Sequence, residues 1–246
     1  MSIPKLIHYI WVGGKEKPDI VIKCIDSWKK YLPDYELIEW NETNYDVYKN
    51  EYISEAYKAK KWAFVSDYMR FDILFKYGGI YFDTDVEIIK RFPDEILNEI
   101  SAFTGKESSG YVSPGLVFGC EPQNSVVKKM IESYDNSFLD TSSIYTVNQR
   151  LTDILTNYGY IMNDEFQKVI GLHIFPSDYF CGYDLDCHVK NITSNTLSFH
   201  HYEASSWQKY RIKNYIRIIV RRIIGLDNYK KILQIKRKYF GISELK

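Results

Sequence analysis

The stretch AKKWAFVSDYMRFDILFKYGGIYFDTDVEII, residues 59–89, decides the fold of this chain. Its first part predicts a helix, and Gly78-Gly79 then supplies the left-handed backbone at which helices commonly end. The β-branched and aromatic run Ile80–Phe82 predicts a strand, which we expect to continue to Ile89. A helix and a strand are thus joined by one short turn.

Four charged side chains lie on the two sides of this turn. Asp67 and Arg70 are three residues apart in the helix, so they share one face and supply an acceptor and a fork of donors for hydroxyl groups. In an extended chain, Asp83 and Asp85 point the same way because side chains alternate. Two carboxylates at a strand end suit a hard divalent cation, which can neutralise a diphosphate. The stretch therefore predicts a site.

The segments before this stretch alternate between strands and helices. We expect strands at Lys5–Val12 and Tyr35–Trp40, with a helix over Pro18–Leu32 between them. This order predicts an α/β domain with a largely parallel, Rossmann-like sheet flanked by helices. Ligands of such sheets sit beyond the carboxyl ends of the strands, where we expect Gly13-Gly14 and Asp83–Asp85.

The composition is that of a soluble globular protein, with 45% hydrophobic and 26% charged residues in a chain of 246. That length suits one sizeable domain, which we assign to residues 1–207. Its later part is expected to contain helices over Gln123–Tyr134 and Tyr145–Tyr158, and strands over Leu116–Phe118, Ile170–Phe175 and Leu197–Tyr202.

Residues 208–246 differ from the rest, with 12 basic and 2 acidic residues in a chain whose formal net charge is zero. Their apolar positions form a helical stripe: Ile212, Ile216, Ile219 and Ile223. The pattern predicts a basic amphipathic helical tail that binds an anionic membrane surface. The alternative is that the stripe docks on the domain. Nucleic-acid binding is disfavoured because the stripe is as prominent as the charge.

The chain is expected to work in the cytoplasm, on the inner face of the cell membrane. Its opening lacks the charged start and continuous apolar core of a signal peptide, and no run approaches transmembrane length. The four cysteines show no CxxC spacing, which favours reduced thiols. A zinc site on Cys181, Cys187 and His188 would lack an evident fourth ligand. The sequence carries no signal for oligomeric state.

An Asp-x-Asp pair is by itself a weak signal, and this chain has a second one, Asp184-Leu-Asp186. The first pair differs because a predicted strand precedes it and Asp67 and Arg70 lie nearby. An EF-hand is disfavoured, since Ile88 stands where the loop needs glycine. Neither a Walker loop nor GxGxxG occurs, so phosphate charge is expected to be handled by metal.

Three stretches resemble the family 32 glycosyltransferases, the Asp-x-Asp sugar-binding group. Ser66–Asp85 is similar to that family's sugar-binding region, IPKLIHYIWVGG to its first strand, and HHYEASSW (residues 200–207) to its last motif. The three occur in the family's order. The resemblance implies the GT-A nucleotide-diphospho-sugar transferase fold, with Mn²⁺ or Mg²⁺ and a nucleoside-diphosphate sugar as donor.

The resemblance also implies roles for single residues. Trp11 would stack on the nucleotide base, with a core aromatic as the alternative. Asp67 and Arg70 would hold the hydroxyls of the donor sugar, where the alternative is an exposed ion pair. Asp83 would contact ribose and sugar, and Asp85 would ligate the metal directly.

Other positions complete the implied site. Tyr81 would line the nucleotide pocket, and Ser66 would contact a hydroxyl. His201 would be the third metal ligand beside Asp83 and Asp85, with His200 as its competitor. Ser206 and Trp207 would close over the diphosphate.

The sequence therefore predicts a metal-dependent retaining glycosyltransferase whose catalytic residues are Asp67, Arg70, Asp83 and Asp85. The donor would be a nucleoside-diphosphate hexose, with UDP-sugars favoured over GDP-mannose. The acceptor would be a lipid-linked glycan of bacterial surface polysaccharide, such as capsule. The alternative is a non-catalytic scaffold or membrane-binding protein that keeps the fold.

Overall fold

The computed structural model describes residues 2–135, 145–184 and 189–202, together with single residues and short groups between 220 and 235. The strands are β1 Leu6–Ile10, β2 Glu36–Trp40, β3 Gly79–Tyr81, β4 Val86–Ile88, β5 Ala102–Lys106, β6 Val112–Cys120, β7 Gln167–Val169, β8 Leu172–Phe175, β9 Tyr183–Asp184, β10 Val189–Lys190 and β11 Ser198–His200. The α-helices are α1 Asp19–Tyr31, α2 Glu51–Lys58, α3 Trp62–Tyr77, α4 Ser125–Glu132, α5 Val147–Thr156 and α6 Ser177–Phe180. A π-helical turn covers Glu95–Glu99.

Seven strands form the central sheet in the order β2-β1-β3-β6-β5-β8-β7. Five of them run the same way, while β6 and β7 run antiparallel to their neighbours. The predicted α/β fold with a largely parallel sheet and flanking helices is confirmed. The insertion of antiparallel β6 between β3 and β5 was not predicted, because sequence patterns do not show which distant strands pair.

Apolar side chains cover both faces of the sheet. One cluster contains α1 with residues such as Cys24 and Trp28, and the other contains residues of α2, α3, α4 and α5. The alternation of side chains along each strand explains this division, because neighbouring residues point to opposite faces. Both faces are therefore closed, and the carboxyl ends of β1, β3 and β5 meet at one open edge.

The predicted turn between helix and strand is present. Helix α3 ends at Gly78, with φ of 63°, and Gly79 follows with φ of 93°. A Cβ at Gly79 would lie 2.8 Å from the carbonyl oxygen of Leu6, so β3 can approach β1 only with glycine there.

The predicted single strand from Ile80 to Ile89 is wrong. The strand stops after Tyr81, and the Val86 amide donates to the Asp83 carbonyl at 3.1 Å, which closes a turn. The second part, β4, pairs with β11 in a separate two-stranded sheet. Asp83 and Asp85 therefore lie in a turn rather than on one face of a strand.

In the described part of the chain, no helix is long and apolar enough to cross a membrane. Cys24, Cys120 and Cys181 are buried. The Cys181 thiol donates to the Tyr183 carbonyl, while Cys187 and His188 lie outside the described residues.

Candidate active site

The guanidinium of Arg70 is the hub of the candidate site. Its Nη2 lies 2.8 Å from Asp67 Oδ1 and 3.3 Å from Asp83 Oδ1, and its Nε donates to the Ser66 carbonyl at 3.0 Å. The group stacks over the ring of Tyr81, and the side chain is only 3% exposed. The turn at Gly78-Gly79 thus brings helix α3 and the first aspartate of the pair together. Asp67 and Arg70 therefore form a buried ion pair, and not the exposed intrahelical pair that was the alternative.

The guanidinium of Arg70 has a second terminal nitrogen, Nη1. Arg70 Nη1 is buried and makes no hydrogen bond within the described residues. A buried donor without a partner costs about 1–3 kcal/mol, and more when it is charged. A ligand that accepts a hydrogen bond there would remove this cost.

Burial sets the electrostatics of the cluster. It raises the pKa of Asp67 to about 6, although Arg70 opposes the shift, and the charge of Asp83 adds to it. Burial lowers the pKa of Arg70, but Asp83, Tyr81 and Asp67 outweigh this and raise it. Arg70 is therefore always charged, while Asp67 titrates close to neutral pH.

Asp83 is held in place from three sides. Its Oδ1 accepts from the Tyr81 hydroxyl at 2.8 Å, and its amide donates to the Gly115 carbonyl at 3.0 Å. A Cβ at Gly115 would collide with Asp83 Oδ2 and would lie 3.2 Å from Arg70 Nη1. Gly115 therefore leaves the room that the Asp83 carboxylate occupies. Nothing in the sequence around Gly115 marked it.

Asp85 contacts a different histidine from the one expected. His200 Nε2 lies 3.0 Å from Asp85 Oδ1, whereas His201 Nε2 lies 2.9 Å from Glu87 Oε2. Successive side chains of an extended segment point to opposite sides, so only one of the two can face Asp85. The geometry favours His200, the predicted competitor, over His201 as the partner of Asp85, and the metal-ligand role of either histidine stays a prediction. The His201 amide still donates to the Asp85 carbonyl, at 2.9 Å.

Two side chains at the Asp85 turn suit a divalent cation. Asp85 and His200 offer a carboxylate and an imidazole, a combination that suits manganese. The Oδ1 of Asp83 contacts Tyr81 and Arg70, and the described residues contain no group of three His, Cys, Asp or Glu side chains that could hold a metal ion. Asp85 and His200 therefore fit as two ligands of a cation, and the predicted set of three is not assembled.

Trp11 follows β1 at the same edge. Its amide donates to the Trp40 carbonyl, and its indole Nε1 donates to the Lys15 carbonyl at 2.6 Å. The ring is only partly buried, with Lys17 Nζ 5.9 Å from its centroid. A ring exposed at this edge can stack on a base, and the assignment stays a prediction.

Other predicted residues lie nearby or outside the described structure. The Ser66 hydroxyl donates to the Ala63 carbonyl and accepts from Arg70 Nη2, so it supports the guanidinium. Ser206 and Trp207 lie outside the described residues, as does Asp186 of the second Asp-x-Asp pair. Asp184 pairs through its backbone with Val189 in a short hairpin.

Helix α1 supports the Asp85 turn in a way that the sequence did not reveal. The Trp28 indole Nε1 donates to the Val86 carbonyl at 2.7 Å, and the Ile88 amide donates to Ser27 Oγ at 2.9 Å. These bonds hold β4 on both sides of Glu87. A helical stripe predicts that Trp28 is buried but cannot predict its partner.

Comparison with known proteins finds a match to one family model. The model of the glycosyltransferase sugar-binding region containing the DXD motif matches residues 18–103. Inositol phosphoceramide mannosyltransferase 3 of Schizosaccharomyces pombe is 34% identical over 93 residues, which are 35% of this chain and 25% of that protein. A human α-1,4-N-acetylglucosaminyltransferase is 32% identical over 108 residues, 43% of this chain and 26% of that protein.

Two further similarities are more distant. Subversion of eukaryotic traffic protein A of Legionella pneumophila is 25% identical over 58% of this chain and 26% of that protein. The solved structure of the PaToxG glycosyltransferase covers 64% of this chain and 72% of that chain, with 20% identity and a TM-score of 0.47. The chain thus spans about a quarter of the length of the curated relatives named here.

Proposed function

We propose that this chain, which carries the sugar-binding region of the DXD glycosyltransferases, transfers a hexose from a nucleoside-diphosphate sugar to a saccharide acceptor with retention of configuration. The observation that carries the proposal is the buried Arg70, which joins Asp67 to Asp83 and whose Nη1 makes no hydrogen bond to any residue that the structure describes. Sugar hydroxyls accept and donate at once, so they match a guanidinium beside a carboxylate. The relatives named for mannosyl and N-acetylglucosaminyl transfer support a sugar as substrate.

Each residue has a distinct task in this proposal. Asp67 and Arg70 hold the hydroxyls of the donor sugar, Asp83 contacts ribose and sugar, and Trp11 stacks on the base. Asp85 and His200 would bind Mn²⁺ or Mg²⁺, which when bound stabilises the negative charge of the departing diphosphate. The fixed positions of Arg70 and Asp83 orient the anomeric carbon toward the acceptor without reorganisation during the reaction.

The acceptor is proposed to be a lipid-linked glycan, as in the assembly of bacterial surface polysaccharide. One fungal relative is named as an inositol phosphoceramide mannosyltransferase, and another as a mannosyl phosphorylinositol ceramide synthase. Both names contain a ceramide lipid. The basic tail suits work on the inner face of the membrane. Among its described residues, Ile223, Ile232 and Ile235 are exposed.

A donor panel tests the function. Thermal unfolding with Mn²⁺ and UDP-glucose, UDP-N-acetylglucosamine or GDP-mannose should show stabilisation by one donor class, and release of the free nucleotide should follow. We expect UDP-sugars to stabilise more than GDP-mannose. Asp184→Ala, in the second Asp-x-Asp pair, is the matched control and should respond as the parent does. Stabilisation by no donor would favour the scaffold alternative.

Membrane binding is tested separately. The 246-residue chain should sediment with vesicles containing phosphatidylserine but not with neutral phosphatidylcholine vesicles. Lys230→Glu combined with Lys231→Glu should weaken sedimentation, at about 1 kcal/mol for each basic residue near the surface. Equal sedimentation of parent and variant would favour docking of the tail on the domain.

A further inference from the structure

The His200 side chain that faces Asp85 is held in an unusual way. Its Nε2 lies 3.0 Å from Asp85 Oδ1. Its other ring nitrogen, Nδ1, is buried and makes no hydrogen bond to any residue that the structure describes. A histidine that binds a metal ion almost always has this second nitrogen hydrogen-bonded, which fixes the orientation of the ring. At His200, the orientation therefore depends on the side chains that pack against the ring.

Tyr202 packs against the His200 ring. The centroids of the two rings are 3.9 Å apart and their planes are inclined by 80°, so the rings meet edge to face. Alternate residues of a regular strand are roughly 6.6 Å apart, so the rings lean toward each other. Tyr202 has a φ of 57°, in the left-handed region. Such a conformation is uncommon outside glycine and concentrates at functional sites.

Cys181 holds both residues. Its carbonyl accepts a hydrogen bond from the His200 amide at 3.1 Å. Its thiol donates to the Tyr183 carbonyl at 2.9 Å, and a thiol has only one hydrogen to donate. The Tyr202 hydroxyl, which lies 3.0 Å from the sulfur, is therefore the donor of that second bond. One residue thus fixes the backbone of His200 and the ring that contacts its side chain.

The next histidine has different neighbours. The His201 ring lies 4.9 Å from the Phe199 ring, and its Nε2 faces Glu87. His201 and Phe199 project to the side of the segment opposite to His200, because successive side chains of an extended chain alternate. The contact with Tyr202 is therefore made by the histidine that faces Asp85.

We propose that Tyr202, held by its hydrogen bond to Cys181, is a positioning residue that keeps the His200 imidazole turned toward Asp85. This inference rests on the proposed function, in which Asp85 and His200 bind the cation. Without the bond to Cys181, the Tyr202 ring would be less fixed, and the imidazole that it contacts would be less fixed as well. Cation binding should weaken in consequence, because a metal ligand binds best when its ring is already oriented.

The test measures Mn²⁺ binding to the 246-residue chain in the absence of any sugar donor. The loss of the free Mn²⁺ signal in electron paramagnetic resonance gives the Kd. Tyr202→Phe keeps the ring and removes the hydroxyl, whereas Tyr202→Leu removes both. We expect the Kd to rise about threefold in Tyr202→Phe and about tenfold or more in Tyr202→Leu, as for other groups that orient metal ligands.

A second measurement reports the ring itself and needs no metal. The NMR signals of the His200 ring protons, assigned with His200→Ala, should shift in both Tyr202 variants of the metal-free protein. The aromatic ring that lies against these protons changes their shielding. Signals that stay in place in both variants would contradict the contact.

The role of Cys181 is tested by rescue. Cys181→Ser keeps a group that can donate to the Tyr183 carbonyl and accept from Tyr202, so it should keep the parent Kd for Mn²⁺. Cys181→Ala removes that group and should raise the Kd about threefold, as Tyr202→Phe does. The double variant, Cys181→Ala with Tyr202→Phe, should bind Mn²⁺ no more weakly than either single variant, because all three lack the same hydrogen bond.

Two controls separate positioning from general support of the core. Phe199→Leu removes the ring beside His201, and Cys120→Ala removes a buried thiol that donates to the Leu74 carbonyl. Both should keep the parent Kd. An unchanged Kd in both Tyr202 variants, an equal rise in Phe199→Leu, or additive losses in the double variant would overturn the inference. A parent protein that binds no Mn²⁺, or that neither hydrolyses nor transfers any donor, would instead overturn the proposed function itself.

Discussion

The two sides of the candidate site are built in different ways. On the Arg70 side, Asp67, Arg70 and Asp83 come from one stretch of chain and are joined through a single turn. On the His200 side, His200 and Asp85 come from remote segments that only the pairing of β11 with β4 brings together. The contacts of the Arg70 side therefore need only this helix, the turn and the strand that follows. The other side depends on the whole fold.

The largest effect is expected at the junction of the two sides. Asp85→Ala should lower transfer by about 100-fold or more, because it removes the carboxylate that contacts His200 and would hold the cation. Steady-state kinetics with the preferred donor and Mn²⁺ measures this. Asp184→Ala is the control and should keep the parent rate. Full Mn²⁺-dependent transfer by Asp85→Ala would remove the basis of the metal assignment.

The two histidines test whether tertiary placement decides their roles. His200→Ala should lower transfer about 30-fold, in the range seen when groups that support a metal are lost, and His201→Ala should change it no more than about threefold. The reason is that His200 faces Asp85 while His201 faces Glu87. Mn²⁺ titration of both variants provides the measurement. A larger loss of transfer in His201→Ala than in His200→Ala would favour His201 as the ligand.

Gly115 tests how far strand β6 supports the Arg70 side. Gly115→Ala should lower transfer about tenfold, because the added Cβ displaces the Asp83 carboxylate from Arg70. Gly105→Ala, whose Cβ would lie 3.1 Å from Phe180, is a matched control in the same sheet. It should lower the unfolding midpoint and spare the turnover. Equal turnover in the two variants would show that Asp83 tolerates movement.

The pKa of Asp67 gives a pH test of the Arg70 side alone. Burial raises this pKa to about 6, so the carboxylate that accepts from sugar and Arg70 is protonated below that pH. Transfer should therefore fall as pH decreases through 6, approaching about tenfold per pH unit well below it. Asp67→Asn should abolish this decrease at low pH and should lower the transfer rate above pH 6. A rate that stays constant from pH 7 to pH 5 would contradict the assignment.

The smallest effect is expected at Trp28, behind the Asp85 turn. Trp28→Phe keeps an aromatic ring against Phe82 but removes the hydrogen bond to the Val86 carbonyl. Leaving that buried carbonyl unpaired should destabilise the protein by about 1–3 kcal/mol, measured by urea unfolding, and lower transfer about threefold. A loss of stability with unchanged transfer would mean that the Asp85 turn keeps its position without the hydrogen bond from Trp28.

Local patterns predicted much of the framework. Helix α1 over Asp19–Tyr31 and helix α5 over Val147–Thr156 lie within their predicted ranges, because apolar spacing along one helix reports its buried face. The same holds for the end of α3 at Gly78. The division at residue 207 stays a prediction, and so does the role of the tail.

The wrong strand prediction has an identifiable cause. The break between β3 and β4 was missed because β-rich residues lie on both sides of Asp83–Asp85, and only pairing of β4 with β11 pulls the second part out of the main sheet. Which of His200 and His201 faces Asp85 also depends on long-range structure, since it is set by the register of β11 against β4.

By itself, the sequence determined the α/β class, the helix–turn–strand unit of residues 59–82, and the closeness of Asp67, Arg70 and Asp83. Those features depend on helical spacing and one glycine turn, and both act over a few residues. Only the tertiary structure decided that Gly115 makes room for Asp83, that His200 faces Asp85, and that Tyr202 meets Cys181. Each of these contacts joins segments far apart in the chain, where strand pairing and packing, rather than local preference, set which side chains meet.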